Sequence, residues 1–229
     1  MRVVFRDRDE AGVALASILT HFARRDDVVV LALPRGGVPV GCQVARLLVA
    51  PLDVFLVRKL GVPGREELAM GAIASGGVRV LNEGLVRAYG IPDVAVERIT
   101  EAERQELERR ERAYREGRPP PEVGGRVAIL VDDGLATGST MRAAVAAVQR
   151  LGPSRVVVGV PTSPASTCDE LAREADEVVC VSTPPRFRAV GLSYREFPQV
   201  SDEEVRQLLR QARHPGGNEP APAAGASGR

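Results

Sequence analysis

Short runs of branched apolar residues recur along the chain, and amphipathic patterns with a helical period separate most of them. The apolar runs predict buried strands at 28–33, 52–57, 126–131, 155–160 and 177–181. The amphipathic patterns predict helices at roughly 9–25, 38–50, 138–151 and 164–175. Residues 71–81 predict a further strand or hairpin around Gly76-Gly77. This alternation favours an α/β fold with a doubly wound, mainly parallel sheet.

Residues 93–118 have a different pattern, dense in acids and arginines. Three acid–arginine pairs stand in the favourable i,i+4 order: Glu106–Arg110, Glu108–Arg112 and Glu111–Arg115. Val96, Ile99 and Leu107 are too few to seal this segment into a core. We therefore expect an inserted, mostly solvent-exposed helix, with packing on an edge of the domain or contact with a second copy as the alternatives.

The length of 229 residues and the apolar content of 44% suffice for one sizeable domain, which we place at 1–213. Residues 214–229 consist largely of Pro, Ala, Gly and Ser, and we expect them to be disordered. The net charge of +1, spread over both signs, argues against binding to nucleic acid or to a membrane surface. The chain also lacks an apolar stretch long enough for a membrane span.

The cysteines and histidines restrict the chemistry further. Cys42, Cys168 and Cys180 are odd in number and far apart, which predicts neither a disulfide framework nor a zinc site and favours a reducing cytoplasm. His21 and His214 are the only histidines, and neither is well placed for a Ser-His-Asp hydrolase or a metal site.

The most informative segment is Ile129–Met141, where a buried strand stops at two adjacent acids. Asp132 and Asp133 follow the apolar run directly, and a turn of small residues then opens the next predicted helix. In open parallel sheets, ligands bind beyond the carboxyl ends of the strands. The turn offers backbone N–H groups beside a helix N-terminus, which suits a phosphate, whereas the acids suit neutral hydroxyls or a metal. A sugar phosphate with a diol, presented with a divalent cation, meets both demands.

This segment resembles the signature of the type I phosphoribosyltransferases, which use phosphoribosyl pyrophosphate (PRPP). The resemblance implies that Asp132 and Asp133 hold the ribose hydroxyls and touch the metal ion, Mg²⁺, only indirectly. It places the 5′-phosphate in a loop made by Ala136, Thr137, Gly138, Ser139 and Thr140, and it counts Gly134 among the PRPP-binding residues. The 6-oxopurine enzymes of this family carry a third acid where Ala136 stands, so hypoxanthine and guanine are less favoured acceptors here.

Two further loops match the same family. Arg35, Gly36 and Gly37 follow the strand at 28–33 and resemble the pyrophosphate loop, with the glycines allowing close backbone approach. Arg58 and Lys59 follow the strand at 52–57, and Lys59 is the only lysine in a chain otherwise rich in arginine. We expect this basic pair to reach the pyrophosphate, with Lys59 acting as a point charge. Gly61, Pro63 and Gly64 then suit a hinged lid.

The acceptor pocket is less defined. Residues 184–200 resemble in position the small C-terminal hood of the family, and Phe187 and Leu135 are the candidate acceptor contacts. The aromatic residues Phe187, Tyr194 and Phe197 fit equally well as anchors that hold this loop on the sheet.

The resemblance implies a phosphoribosyltransferase of nucleotide metabolism that acts as a homodimer with Mg²⁺ and releases pyrophosphate from PRPP. Asp132, Asp133, Lys59 and Arg35 are its candidate catalytic residues. Three alternatives stay open. The first is a PRPP-sensing regulator with weak or no catalysis. The second is a receiver-like phosphoacceptor domain in which the Asp132 or Asp133 side chain is phosphorylated, and the third is an unrelated nucleotide binder.

Overall fold

A computed structural model describes residues 4–213 of the chain. The predicted disordered tail at 214–229, with His214, lies outside these described residues. The helices are α1 (Arg8–Ile18), α2 (Gly37–Leu48), α3 (Glu83–Ala88), α4 (Asp93–Arg115), α5 (Ser139–Gln149), α6 (Ala165–Leu171) and α7 (Asp202–Arg213). The strands are β1 (Val28–Ala32), β2 (Leu52–Val54), β3 (Val57–Val62), β4 (Arg65–Ala74), β5 (Val78–Leu81), β6 (Val127–Val131), β7 (Arg155–Thr162) and β8 (Glu177–Ser182). Among the described helices, none is long and apolar enough to cross a membrane.

Five of the strands form a parallel sheet in the order β2-β1-β6-β7-β8, and this confirms the predicted α/β fold with a mainly parallel sheet. Successive residues of β1 point to opposite faces, as the pleat requires. Val28 and Val30 pack with α1 and α2, whereas Val29 and Leu31 pack with α5. Because helices cover both faces, every residue of β1 and β6 is buried, which explains their continuous apolar sequences.

The predicted strand at 52–57 divides into two elements, and this corrects the sequence-based boundary. β2 ends at Val54 in the parallel sheet, and β3 begins at Val57 in a separate antiparallel sheet of order β3-β4-β5. Phe55 and Leu56 join the two and are buried, so the apolar run continues across the change of sheet. The predicted lid is therefore a hairpin, in which β3 and β4 are antiparallel.

The charged helix α4 is not the mostly exposed helix that its sequence predicted. Val96, Leu107 and Tyr114 are buried in a second core between the antiparallel sheet, α4 and α7. The predicted i,i+4 ion pairs are present, but one of them, Glu111–Arg115, lies on the packed side, where Arg115 is only 3% exposed. α4 thus packs against the hairpin and α7, which supply apolar partners that the local pattern could not reveal.

Candidate active site

The parallel sheet brings two of the predicted loops together. β1 and β6 are neighbours in register, with Ala32 opposite Val131, so both strands end at the same level. The backbone N–H of Leu33 then donates to the carbonyl of Val131 at 2.8 Å, which extends the pairing beyond the strands. The loop after β1 and the acid pair after β6 therefore lie side by side at the carboxyl edge of the sheet, as ligand sites in such sheets do.

Gly36 touches Asp133 so closely that no side chain fits between them. A Cβ atom placed on Gly36 would lie 2.6 Å from the carboxyl carbon of Asp133 and closer still to Oδ2. On Gly37, a Cβ would lie 2.7 Å from the carbonyl oxygen of Val131. The glycines predicted for the pyrophosphate loop thus have a second role, since their missing side chains make room for the acid pair.

The acid pair is partly buried, and each carboxylate has one oxygen already engaged. Oδ1 of Asp132 accepts the backbone N–H of Asp133 at 2.8 Å. Oδ2 of Asp133 accepts the Nε–H of Arg8 at 2.9 Å and lies at an ion-pair distance, also 2.9 Å, from Nη2. In the part of the chain that the structure describes, the other carboxylate oxygen of each residue has no hydrogen bond. Two acceptor oxygens on adjacent residues suit a vicinal diol.

Burial affects the ionisation of both acids. It raises the pKa of Asp132 well above its usual value, and the neighbouring carboxylate of Asp133 raises that pKa further. Burial also raises the pKa of Asp133, whereas the guanidinium of Arg8 opposes this rise. Arg8 is therefore the cation that compensates the charge of the acid pair.

The turn after the acids has the form of an anion-binding loop. Gly138 precedes α5 with φ of 69°, a left-handed conformation that favours glycine, and it gives the helix no side-chain cap. Thr137, Ser139 and Thr140 are exposed around it. Helix α6 supports the loop, because the hydroxyl of Thr167 donates to the carbonyl of Ala136 at 3.0 Å. The helix N-terminus thus remains open to an anion.

Gly134 lets a covering segment approach the acids. A Cβ on this residue would lie 2.6 Å from Cγ1 of Val190 and 2.8 Å from Cγ2 of Thr162. Val190 belongs to residues 184–200, the predicted hood, and Tyr194 of the same segment donates its hydroxyl to the carbonyl of Asp133 at 2.5 Å. The segment predicted as a hood therefore lies directly against the acid pair.

Among the predicted basic residues, Arg35 is partly exposed. Its Nη1 lies 3.9 Å from Oδ1 of Asp202, the first residue of α7, and this oxygen also accepts the hydroxyl of Tyr114 at 2.6 Å. The long contact between Arg35 and Asp202 leaves the guanidinium able to turn towards an anion.

Arg58 and Lys59 do not follow a strand, as predicted, but lie within β3. Their side chains differ in availability. Nε of Arg58 donates to Glu103 of α4 at 2.6 Å, which occupies this arginine. Lys59 is exposed. The structure thus separates the two members of the basic pair, and Lys59 is the one accessible to a ligand.

The two candidate acceptor contacts also differ. Leu135 is only 3% exposed, packs in the core between β6 and α5, and donates its backbone N–H to Thr162, so its side chain does not line an open site. Phe187 is half-buried in the covering segment. Tyr194 and Phe197 stack on each other, and Tyr194 also contacts Phe5, so these two aromatic residues anchor the segment.

The structure corrects the prediction for the cysteines. Cys168 of α6 and Cys180 of β8 form a disulfide, whereas Cys42 is free. Only 12 positions separate them, and α6 packs beside β8 so that the two side chains meet. The cysteine pattern therefore gives no support for a reducing cytoplasm.

Sequence reasoning missed Arg8, and it named Tyr194 only as an anchor of the covering segment and not as a partner of the acid pair. Arg8 stands in the charged run Arg6-Asp7-Arg8-Asp9-Glu10, where nothing distinguishes it from a solvent-exposed arginine. Its partner Asp133 is 125 positions away.

Within the described residues, no group of three or more His, Cys, Asp or Glu side chains could hold a metal ion.

Comparison with known proteins agrees with this geometry. The sequence model of the family described as "Phosphoribosyl transferase domain" matches residues 9–194. A protein of Mycobacterium tuberculosis, provisionally named as a phosphoribosyl transferase in two strains, is 47% identical over 209 residues. That alignment covers 91% of this chain and 47% of the other protein, so the chain spans about half the length of the curated relatives it matches.

One solved structure is similar in both sequence and fold. It is the crystal structure of a protein from Thermus thermophilus, which is 44% identical to this chain. The match covers 90% of this chain and 98% of the other, with a TM-score of 0.82.

Proposed function

The chain belongs to the phosphoribosyl transferase domain family, and from this premise we propose that it transfers the 5-phosphoribosyl group of PRPP to a nitrogenous base or amine. Pyrophosphate is the other product. The observation that carries the proposal is the contact between Gly36 and Asp133, since it joins a glycine-rich loop to an acid pair with two accepting oxygens.

In this proposal the acid pair and the turn after it bind the ribose phosphate. The unengaged oxygens of Asp132 and Asp133 accept the two ribose hydroxyls. The loop Ala136–Thr140 and the N-terminus of α5 receive the 5′-phosphate, which the positive end of the helix dipole attracts. Gly134 contributes by allowing Val190 to cover the sugar-binding edge.

The residues on the other side of the acid pair bind the pyrophosphate. Gly36 and Gly37 lie beside it, and Arg35 exchanges its long contact with Asp202 for the pyrophosphate oxygens. Lys59 adds an exposed point charge. Arg58 can bind the pyrophosphate only if its hydrogen bond with Glu103 breaks, so we assign it a smaller contribution to pyrophosphate binding.

We include Mg²⁺ in the proposal as an ion that arrives with PRPP. Asp132 and Asp133 are the residues that would lie near the ion, and they would contact it only indirectly, because Oδ2 of Asp133 is already bound to Arg8. When bound, the ion neutralises charge on the leaving pyrophosphate.

The chain's own residues position the reactants and stabilise charge. Arg35 and Lys59 stabilise negative charge on the departing pyrophosphate. Asp132 and Asp133 hold the sugar and stabilise positive charge that develops near C1′, so they are not nucleophiles. The covering segment 184–200 shields the reacting carbon from water, and Phe187 is the candidate surface for stacking an aromatic acceptor.

The family resemblance further implies a homodimer. A location in the cytoplasm was expected from the cysteines, and the Cys168–Cys180 disulfide removes that support. Light scattering on the purified chain tests the homodimer, with an expected mass of twice 24.5 kDa.

The decisive experiment is calorimetric titration of PRPP with Mg²⁺ into the wild type and the Asp133→Asn variant. Asp26→Asn is the matched control, because Asp26 is exposed and precedes β1 at the opposite edge of the sheet. We expect binding in the wild type and the control, and at least about a tenfold loss in Asp133→Asn, since a hydrogen bond to a charged group contributes about 1.5–3 kcal/mol.

A screen of bases and amines for pyrophosphate release completes the test. Release that depends on the acceptor establishes the transferase. PRPP binding without release for any acceptor favours the PRPP-sensing regulator. Absence of PRPP binding at millimolar concentration contradicts both, and acetyl phosphate labelling of Asp132 or Asp133 would then support the phosphoacceptor alternative.

A further inference from the structure

Arg8 connects three separate parts of the chain at the acid pair. It is the first residue of α1, its side chain is 9% exposed, and it contacts Asp133. Its Nη1 also donates to the carbonyl of Pro198 at 2.8 Å. The guanidinium carbon lies 3.9 Å from the centre of the Phe197 ring. The start of α1, the loop after β6 and the covering segment therefore meet on this single guanidinium.

The contacts of Arg8 select one oxygen of Asp133. Nε donates to Oδ2, the oxygen nearest to Gly36, and Nη2 forms an ion pair with the same oxygen. A carboxylate without such a partner can rotate about its Cβ–Cγ bond and exchange its oxygens. With Oδ2 held by Arg8 and closest to Gly36, Oδ1 is the oxygen that Arg8 leaves without a hydrogen bond.

We propose that Arg8 is a positioning residue for ribose recognition, which holds Asp133 so that Oδ1 is presented to one hydroxyl of the sugar. This inference rests on the proposed function. It adds a residue outside the family signature to the donor site, and it implies that the N-terminal segment takes part in substrate binding.

Several charged or titratable groups surround this contact. Asp132 lies beside Asp133, the hydroxyl of Tyr194 donates to the carbonyl of Asp133, and Glu204 lies near Arg8 at the start of α7. None of them duplicates the fork that Arg8 makes. Lysine could replace the charge, but it lacks the planar guanidinium whose Nε donates to Oδ2 while Nη1 donates to the carbonyl of Pro198.

The test compares sugar phosphates that differ by a single hydroxyl. Ribose 5-phosphate, 2-deoxyribose 5-phosphate and 3-deoxyribose 5-phosphate are titrated into the wild type and four variants: Asp133→Asn, Arg8→Met, Arg8→Lys and Arg6→Met. Arg6→Met is the matched control, because Arg6 lies two residues away with its side chain 64% exposed and paired with Asp7. Asp133→Asn identifies the hydroxyl that Asp133 recognises.

We expect the wild type and Arg6→Met to prefer ribose 5-phosphate over the deoxy sugar that lacks the hydroxyl recognised by Asp133. This preference should be about 10-fold to 100-fold, the usual range for a hydrogen bond to a charged group. In Arg8→Met this preference should fall to about 3-fold or less, while the preference for the other hydroxyl is kept. Arg8→Lys should give an intermediate value. A purely structural role for Arg8 predicts another result, an equal loss of affinity for all three sugars.

The inference is overturned if Arg8→Met binds all three sugars more weakly by the same factor. It is also overturned if Arg8→Met keeps the wild-type preference for ribose 5-phosphate. If Arg8→Met does not fold, as judged by circular dichroism, Arg8→Lys carries the same comparison. Failure of the proposed function is distinguishable, because the wild type itself would then bind neither PRPP nor ribose 5-phosphate.

Discussion

Replacing Gly36 with alanine is the most specific perturbation of the proposed site. The backbone of Gly36 is right-handed helical, with φ of −60° and ψ of −32°, so alanine is compatible with its conformation. The added methyl carbon, however, would lie 2.6 Å from the carboxyl carbon of Asp133. Ordinary contacts of this kind are wider by roughly 1 Å, so the loop or the carboxylate must move.

The size of the effect follows from what Asp133 would lose. Its Oδ2 accepts the Nε–H of Arg8 at 2.9 Å and forms an ion pair with Nη2, and Arg8 is almost fully buried. Loosening a hydrogen bond to a charged group costs about 1.5–3 kcal/mol, and overpacking costs typically about 1–3 kcal/mol. We expect Gly36→Ala to lower the free energy of unfolding by about 2 kcal/mol and the affinity for ribose 5-phosphate by at least about 10-fold.

Urea unfolding and calorimetric titration measure the two effects separately. Ribose 5-phosphate is the better ligand for this purpose, because it carries no pyrophosphate and does not report on the Arg35 side of the loop. The control is Gly84→Ala in α3, where an added Cβ would lie 3.4 Å from Oδ1 of Asn82. That substitution should leave stability unchanged or raise it by up to about 1 kcal/mol.

The reasoning is refuted if Gly36→Ala unfolds at the same urea concentration as the wild type and binds ribose 5-phosphate equally well. Loss of stability with unchanged binding would show that the loop around Gly36 moves while the carboxylate of Asp133 stays in position. In that case the contact between the two loops is structural, and it does not control sugar recognition.

Three other perturbations test further features. Lys59→Ala should weaken PRPP binding by about 10-fold and leave ribose 5-phosphate binding unchanged in calorimetry, because its charge serves only the pyrophosphate. Arg115→Met removes a buried guanidinium that pairs with the partly buried Asp53 and Glu111, and it should lower the free energy of unfolding by about 3–5 kcal/mol. Arg112→Met, with its side chain 70% exposed, should change that free energy by less than about 0.5 kcal/mol, and equal effects in urea unfolding would contradict this reasoning. Cys168→Ser should cost up to about 3 kcal/mol through the loop of 12 residues that the disulfide closes, and no difference from the wild type would mean that the disulfide does not form in solution.

Several elements were predictable because their signal is local. The apolar residues of β1 and β6 are continuous in sequence because helices cover both faces of the strands, and the acids follow β6 directly. The turn before α5 requires Gly138 for its positive φ, and such a requirement is visible in the sequence. The loop after β1 and the acid pair were both expected at one edge of the sheet, and the structure places them in contact.

The predicted boundary of the strand at 52–57 was wrong, because the same local pattern fits one continuous strand or two strands in different sheets. Phe55 and Leu56 are apolar whether a strand continues through them or the chain passes from one sheet to another. α4 was expected to be mostly exposed because its sequence is dominated by charge. Its few apolar side chains are buried because the antiparallel sheet and α7 offer a surface at matching positions.

The sequence by itself thus determined the alternation of strands and helices, the acids after β6 and the glycine loops, because each depends on neighbouring residues and their backbone preferences. The tertiary structure alone decided which distant side chains complete these features. Arg8 meets Asp133 across 125 positions, and Cys168 meets Cys180 only when α6 packs against β8. Such contacts depend on how the elements pack in space, and a linear pattern of residue types does not record that packing.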